Sequence, residues 1–206
     1  ESQLIGKTIN NRYRVEKEIG NGAVAHVYRG TDLKTNTVIA IKQLMDTAQQ
    51  ADEAQITRFE RESNAMETLS HPSIVNVIDT LFVGGDHLIV MDYVAGGSLG
   101  KLLAQEGKLD MNYAIKIAHD IASAMIVVHD EDIIHRDIKP DNILISREGT
   151  ARLTDFGMAR FTYLSRLTTK DIMLGSMLYM SPEQFKTGEA VKKSDIWAFG
   201  VTLYEI

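Results

Sequence analysis

The segment His135-Arg136-Asp137-Ile138-Lys139-Pro140-Asp141-Asn142 packs five ionisable side chains and an asparagine into eight residues, between an apolar helical stretch and an apolar strand. Such density at the edge of a core suits a reactive site better than a solvated loop. Asp137 can accept a hydroxyl proton, Lys139 can neutralise phosphate, and Asn142 offers an oxygen ligand to Mg²⁺. Asp155-Phe156-Gly157 follows after a short hairpin and adds a carboxylate for a metal, an apolar anchor and a hinge.

A second group lies upstream. Gly20-x-Gly22 stands between two strand-like runs, where glycine lets backbone N–H groups approach phosphate oxygens closely. Alone, two glycines in a hairpin more often mark a plain turn. Lys42 ends the apolar run Val38-Ile39-Ala40-Ile41. A lysine there is usually solvated, but just past a phosphate loop it can bind phosphate as a point charge. Glu62 could hold that lysine from the next helix. Most glutamates on such a helix face water, yet Glu62 lies three residues after Phe59 and four before Met66, on the apolar side.

The elements that must position these groups follow from periodicity. Tyr13 to Ile19, His26 to Arg29 and Val38 to Ile41 read as strands, the last reached through the turn Lys34-Thr35-Asn36. Ala54 to Leu69 reads as a helix, followed by strands Ile74 to Phe82 and Leu88 to Met91 around Gly84-Gly85-Asp86. After Gly96-Gly97 the character turns helical. Asp110 caps a long helix with Ala114, Ile117, Ala118, Ile121, Met125 and Val128 on one face. Strands Ile143 to Ile145 and Ala151 to Leu153 flank a turn, a polar stretch runs from Asp155 to Pro182, and a last apolar helix starts near Ser194. The fold class expected is α+β: a small antiparallel sheet with one helix at residues 1–92, a connector at 93–97, and a mainly helical part at 98–206.

Composition narrows the partners. The net charge of -6 argues against nucleic acid, which calls for a basic face, but allows a small anion held by local N–H groups and a lysine. The absence of cysteine excludes disulfides, thiolate metal sites and thiol catalysis, and fits a reducing, cytoplasmic setting. No uncharged apolar run approaches the roughly 18 residues that span a bilayer, so a membrane anchor is expected only outside this sequence.

The ordered set IGNGAVAHVY, VIAIK, Arg61-Glu62, HRDIKPDN, DFG, SPE and DIWAFG resembles the eukaryotic-type protein kinase family, over Tyr13 to Ile206. RFERE, SHPSIV and MSPEQ are most similar to bacterial serine/threonine kinases. The resemblance implies a bilobal fold and transfer of the ATP γ-phosphoryl group to protein Ser/Thr hydroxyls. Gly20 and Gly22 would cover the phosphates, with Ile19 beside them. Lys42, held by Glu62, would contact the α and β phosphates. Asp92 to Val94 would bond adenine, Met91 would guard the back pocket, and Val27, Ala40 and Leu144 would sandwich the ring. Asp137 would act as base and Lys139 would stabilise the transferring group, while Asn142 and Asp155 would hold Mg²⁺. Met66, Val77, His135 and Phe156 match the family's hydrophobic spine. Lys139, two residues after Asp137, points to Ser/Thr rather than Tyr as acceptor.

The third loop glycine is Ala25, after a tip of Ala23-Val24, and Ser176 stands where threonine is usual. Further helices normally follow DIWAFGVTLYEI. The expectations drawn from that are a partly buried, unpaired Glu183 and an uncovered face with Ile196, Trp197, Phe199, Val201 and Leu203. Two other readings are a pseudokinase scaffold and an inactive fragment. Lys42, Glu62, Asp137, Asn142 and Asp155 are all present, which deprives the scaffold of its usual support. Arg136 and Arg160 would dock a phosphate at Thr168 or Thr169, with Thr162, Tyr163 and Ser165 weaker candidates. Transfer between two molecules of the chain would place it there.

Overall fold

A computed structural model of the chain describes residues 4–22, 25–44, 67–156 and 177–206. It divides into two compact units, Glu1–Thr68 with Asn76–Tyr93, and Leu69–Val75 with Val94–Ile206. Together they give the expected α+β class. Among the described residues no helix is long and apolar enough to cross a membrane.

The first unit is an antiparallel sheet of β1 (Thr8–Ile9), β2 (Tyr13–Asn21), β3 (Ala25–Asp32), β4 (Thr37–Leu44), β5 (Val77–Val83) and β6 (Asp86–Asp92). The strand order is β1-β2-β3-β4-β6-β5. Tyr13, Val15, Tyr28, Ile39, Ile41 and Val90 form its buried apolar layer. Alternation along each strand sends their neighbours to the opposite face. Gly30 is required by a close approach, since a Cβ there would lie 2.5 Å from the Arg14 carbonyl oxygen.

Asp32, buried at the end of β3, joins two turns. Its carboxylate accepts from Arg12 Nε at 3.0 Å and Nη2 at 2.7 Å, and from the Lys34 backbone N–H at 2.9 Å. The β3–β4 turn closes with Asn36 in the left-handed region and its N–H on the Asp32 carbonyl.

The second unit is built on α1 (Leu99–Glu106), α2 (Met111–Asp130), α3 (Pro182–Thr187) and α4 (Lys192–Glu205), with the hairpin β7 (Ile143–Ile145) and β8 (Ala151–Leu153). Asp110 caps α2 as expected, accepting from the N–H groups of Asn112 and Tyr113. The α2 face that is buried carries Ile117, Ile121, Ala124, Met125 and Val128. Asp120 ties the hairpin to this helix by accepting the Ala151 N–H at 3.0 Å.

Several elements differ from expectation. β5 starts at Val77, because Ser73 and Val75 exchange backbone bonds with Leu153 in the second unit. The helices α1 and α3 and the two-residue strand β1 were not foreseen, and α4 begins two residues before Ser194. Of the helix expected over Ala54–Leu69, only its last residues are described, with Glu67 and Thr68 helical.

The Arg12 guanidinium holds the Asp32 carboxyl well below the usual carboxylate range. A carboxyl depressed on folding stabilises the fold above its unfolded value of about 3.9 and loses that contribution as the pH falls below it. Wild-type protein should therefore lose more stability than Asp32→Asn between about pH 6 and about pH 3. Urea denaturation at both pH values checks this; equal losses would remove the role assigned to the pair.

Candidate active site

In the first unit the sheet register gathers the predicted nucleotide-binding side chains. Val27 stands opposite Lys42, and Ala40 stands opposite Met91. Since side chains alternate along a strand, Val27, Ala40, Lys42 and Met91 share one face. Ala40, Lys42 and Met91 are buried, and Lys42 is engaged by other groups. Gly20 pairs with Val27, and a Cβ on it would lie 3.5 Å from the Val27 Cβ. Ile19, more than a third exposed, falls in the register shift between Glu18 and Gly20. Asp92 ends β6 and donates its N–H to the Asn76 carbonyl at 3.0 Å.

The second unit brings the catalytic-loop candidates together. Lys139 Nζ lies 3.0 Å from Asp137 Oδ2. Asn142 Nδ2 donates to the Asp137 carbonyl at 2.7 Å and to Oδ2 at 3.0 Å. Because that amide nitrogen is committed to Asp137, Oδ1 is the atom of Asn142 suited to a cation. The Asp155 carboxylate adds a second hard oxygen donor of the kind Mg²⁺ takes. These donors fit the metal that the resemblance implies. Leu144 lies half-buried in β7, opposite Arg152, and Val94 is the first residue of the second unit after Tyr93.

His135 fixes the loop from inside. Its Nε2 lies 2.8 Å from the Thr154 carbonyl oxygen, which can only accept, so that nitrogen carries the hydrogen. Its Nδ1 accepts the Asp137 N–H at 3.2 Å. The Phe156 ring packs on it with centroids 4.6 Å apart. Arg136 and Asp155 both adopt left-handed backbone, with φ of 72° and 67°. Non-glycine residues stay there only when their surroundings over-determine them.

The group that over-determines Arg136 was missed in the sequence. Asp195, on the first turn of α4 and 1% exposed, accepts the His135 N–H and the Arg136 N–H, each at 2.8 Å. His129 Nε2, from the end of α2, lies 2.8 Å from the same carboxylate. Asp195 opens the motif DIWAFG, but that pattern by itself attaches no partner to it. The available signal was its place on one buried face with Ala198 and Thr202.

Glu62, Met66, Gly157, Arg160, Thr162, Tyr163, Ser165, Thr168, Thr169 and Ser176 lie outside the described residues. Glu183 corrects one expectation. It is exposed in the first turn of α3, where its own backbone N–H and then the Ser181 hydroxyl keep its carboxyl below the ordinary value. Of the α4 face expected to be uncovered, Ile196, Trp197 and Leu203 are exposed, while Phe199 and Val201 are half-buried.

Asp195→Asn keeps the shape but leaves one oxygen for two backbone donors. A buried donor without a partner costs about 1–3 kcal/mol. The variant should lose stability of that order and turn over more slowly. Thermal melting together with an activity assay checks both, and an unaltered variant on both counts would remove the role given to Asp195.

Comparison with known proteins accords with this geometry. The protein kinase domain family matches residues 13–206. A probable serine/threonine-protein kinase PknB of Lactococcus lactis is 43% identical over 98% of this chain and 32% of its own length. Serine/threonine-protein kinase PrkC of Bacillus subtilis is 41% identical over 98% of this chain and 31% of its own length. The chain thus spans about a third of the curated relatives it matches. Among solved structures, Rad53 1-466 in complex with AMP-PNP aligns with a TM-score of 0.75 and 27% identity, over 94% of this chain and 47% of that one. The chain belongs to the protein kinase domain family, with relatives of the bacterial serine/threonine type.

Proposed function

We propose that this domain transfers the γ-phosphoryl group of ATP to serine or threonine hydroxyls of other proteins. The observation that carries the reading is the cluster of Asp137, Lys139 and Asn142, in which one carboxylate is oriented by an ammonium and an amide. The Asp137 carboxylate takes the hydroxyl proton as the oxygen attacks phosphorus. Lys139, held beside it, stabilises negative charge on the transferring group. Asn142 Oδ1 and the Asp155 carboxylate would hold Mg²⁺, which when bound neutralises charge across the β and γ phosphates.

Lys42, with Glu62 as its partner, binds the α and β phosphates, and Gly20 and Gly22 cover them. Ile19, Val27, Ala40 and Met91 take the adenine, Asp92 and Val94 bond its edge through their backbone, and the family pattern assigns Leu144 to the same ring. Residues 1–92, apart from Leu69–Val75 in the second unit, form the nucleotide-binding lobe, 93–97 the hinge and 98–206 the catalytic lobe. ATP is supplied in the cytoplasm, where this reading puts the domain.

Lys42→Ala and Asp155→Ala should each lower turnover about 100-fold or more, while the melting temperature stays near that of the wild type. Phosphoryl transfer to a generic basic protein, with Asp137→Asn as control, measures this. Near-normal transfer by any of the three would reject the role given to that residue.

The same reading puts a regulatory phosphate on Thr168 or Thr169, added by a second copy of the chain. A phosphothreonine carries about -1.5 to -2 charges and strong acceptors for Arg136 and Arg160. Mass spectrometry of active enzyme should find it, at a rate that rises with enzyme concentration. Full activity of the Thr168/Thr169 double alanine variant would reject it.

A further inference from the structure

The backbone around Asp137 is held group by group. Asp195 takes the His135 and Arg136 N–H groups, His135 Nδ1 takes the Asp137 N–H, and Asn142 takes the Asp137 carbonyl. The Arg136 carbonyl falls to the last residue of the MSPEQ stretch, to which no role was attached. Gln184 Nε2, in α3, lies 3.4 Å from that oxygen. A carbonyl can only accept, so the contact requires the amide nitrogen and would be lost with any side chain lacking an N–H donor.

We propose that Gln184 is a positioning residue for phosphoryl transfer: it holds the Arg136 carbonyl while Asp195 holds the Arg136 N–H, and the two contacts on either side of this residue fix the placement of Asp137. The inference rests on the reading of Asp137 as the base. Two further observations carry it. Arg136 sits at φ 72°, a conformation that a non-glycine residue keeps only under restraint from its surroundings. One restraint comes from α4 on the His135–Arg136 peptide and the other from α3 on the Arg136–Asp137 peptide, so neither helix by itself holds both planes that flank Arg136. Gln184 is also anchored at its own backbone, its N–H donating to Oγ of the fully buried Ser181 at 3.3 Å. The side chain therefore extends from a fixed point.

The contact is long for a hydrogen bond and its effect is correspondingly modest. Loss of one such bond corresponds to about a three- to tenfold change in rate when it acts in the transition state. Gln184→Glu keeps the shape and removes the donor, and Gln184→Met removes it without adding charge. Both should lower kcat about three- to tenfold, with an unchanged KM for ATP and a melting temperature close to that of the wild type. In an Asp137→Asn background neither should lower the residual turnover further, because the side chain acts through Asp137.

Wild-type kcat in both variants would overturn the proposal. So would a fall matched by loss of thermal stability, or one that persists in full on top of Asp137→Asn. Near-normal turnover by Asp137→Asn would overturn the assignment of the base and this inference with it. An inactive Asp137→Asn beside undisturbed Gln184 variants would overturn the inference and leave the base standing.

Discussion

A carboxylate with 1% exposure requires compensation, and for Asp195 that compensation is the backbone of the catalytic loop. Two peptide N–H groups and the His129 imidazole meet it, and the N-terminus of α4 adds the favourable end of a helix dipole. The dependence is mutual. Without the loop the charge would be buried and poorly satisfied; without the charge, Arg136 would have little reason to stay in left-handed backbone. The bonds from the Asp137 N–H to His135 and from the Asn142 amide to Asp137 continue that exchange of polar groups along the loop.

The first unit solves its own positioning problem by register. A sheet with one buried apolar layer cannot slip by one residue without exposing that layer. Tyr13, Val15, Tyr28, Ile39 and Ile41 therefore fix which way their neighbours point, and the neighbours are Val27, Ala40 and Lys42. The apolar layer and the side chains proposed to face the nucleotide are two readings of one constraint. The buried Asp32, with its bonds from Arg12 and Lys34, pins the ends of the strands that carry both.

Much of this was legible in the sequence because it was written as local patterns. β3 and β4 follow from short apolar runs bounded by turns, and α2 from its helical stripe and Asp110 cap. The reactive loop follows from an unusual density of polar side chains. What was missed has a common cause: its meaning lies in long-range contacts. Asp195 and Gln184 meet the loop across 59 and 48 residues of chain, and the stretches that hold them, DIWAFG and MSPEQ, do not say what they touch. The start of β5 was misjudged because Ile74 and Val75 look like strand residues, and only their bonding with Leu153 removes them from it. Helices α1 and α3 are too short for periodicity to stand out. The family pattern led Glu183 to be read as partly buried, while its place in an exposed helical turn gives it solvent, its own N–H and the Ser181 hydroxyl instead.

His135 has a further significance that its packing against Phe156 conceals. One ring nitrogen gives its hydrogen to Thr154 and the other receives one from Asp137. An imidazole engaged in this way has no lone pair left for an incoming hydroxyl. The side chain most often recruited to move protons is here locked into a purely architectural state, one residue from Arg136 and two from the carboxylate. On the proposed reading this leaves the substrate's proton to the Asp137 carboxylate and not to the ring beside it.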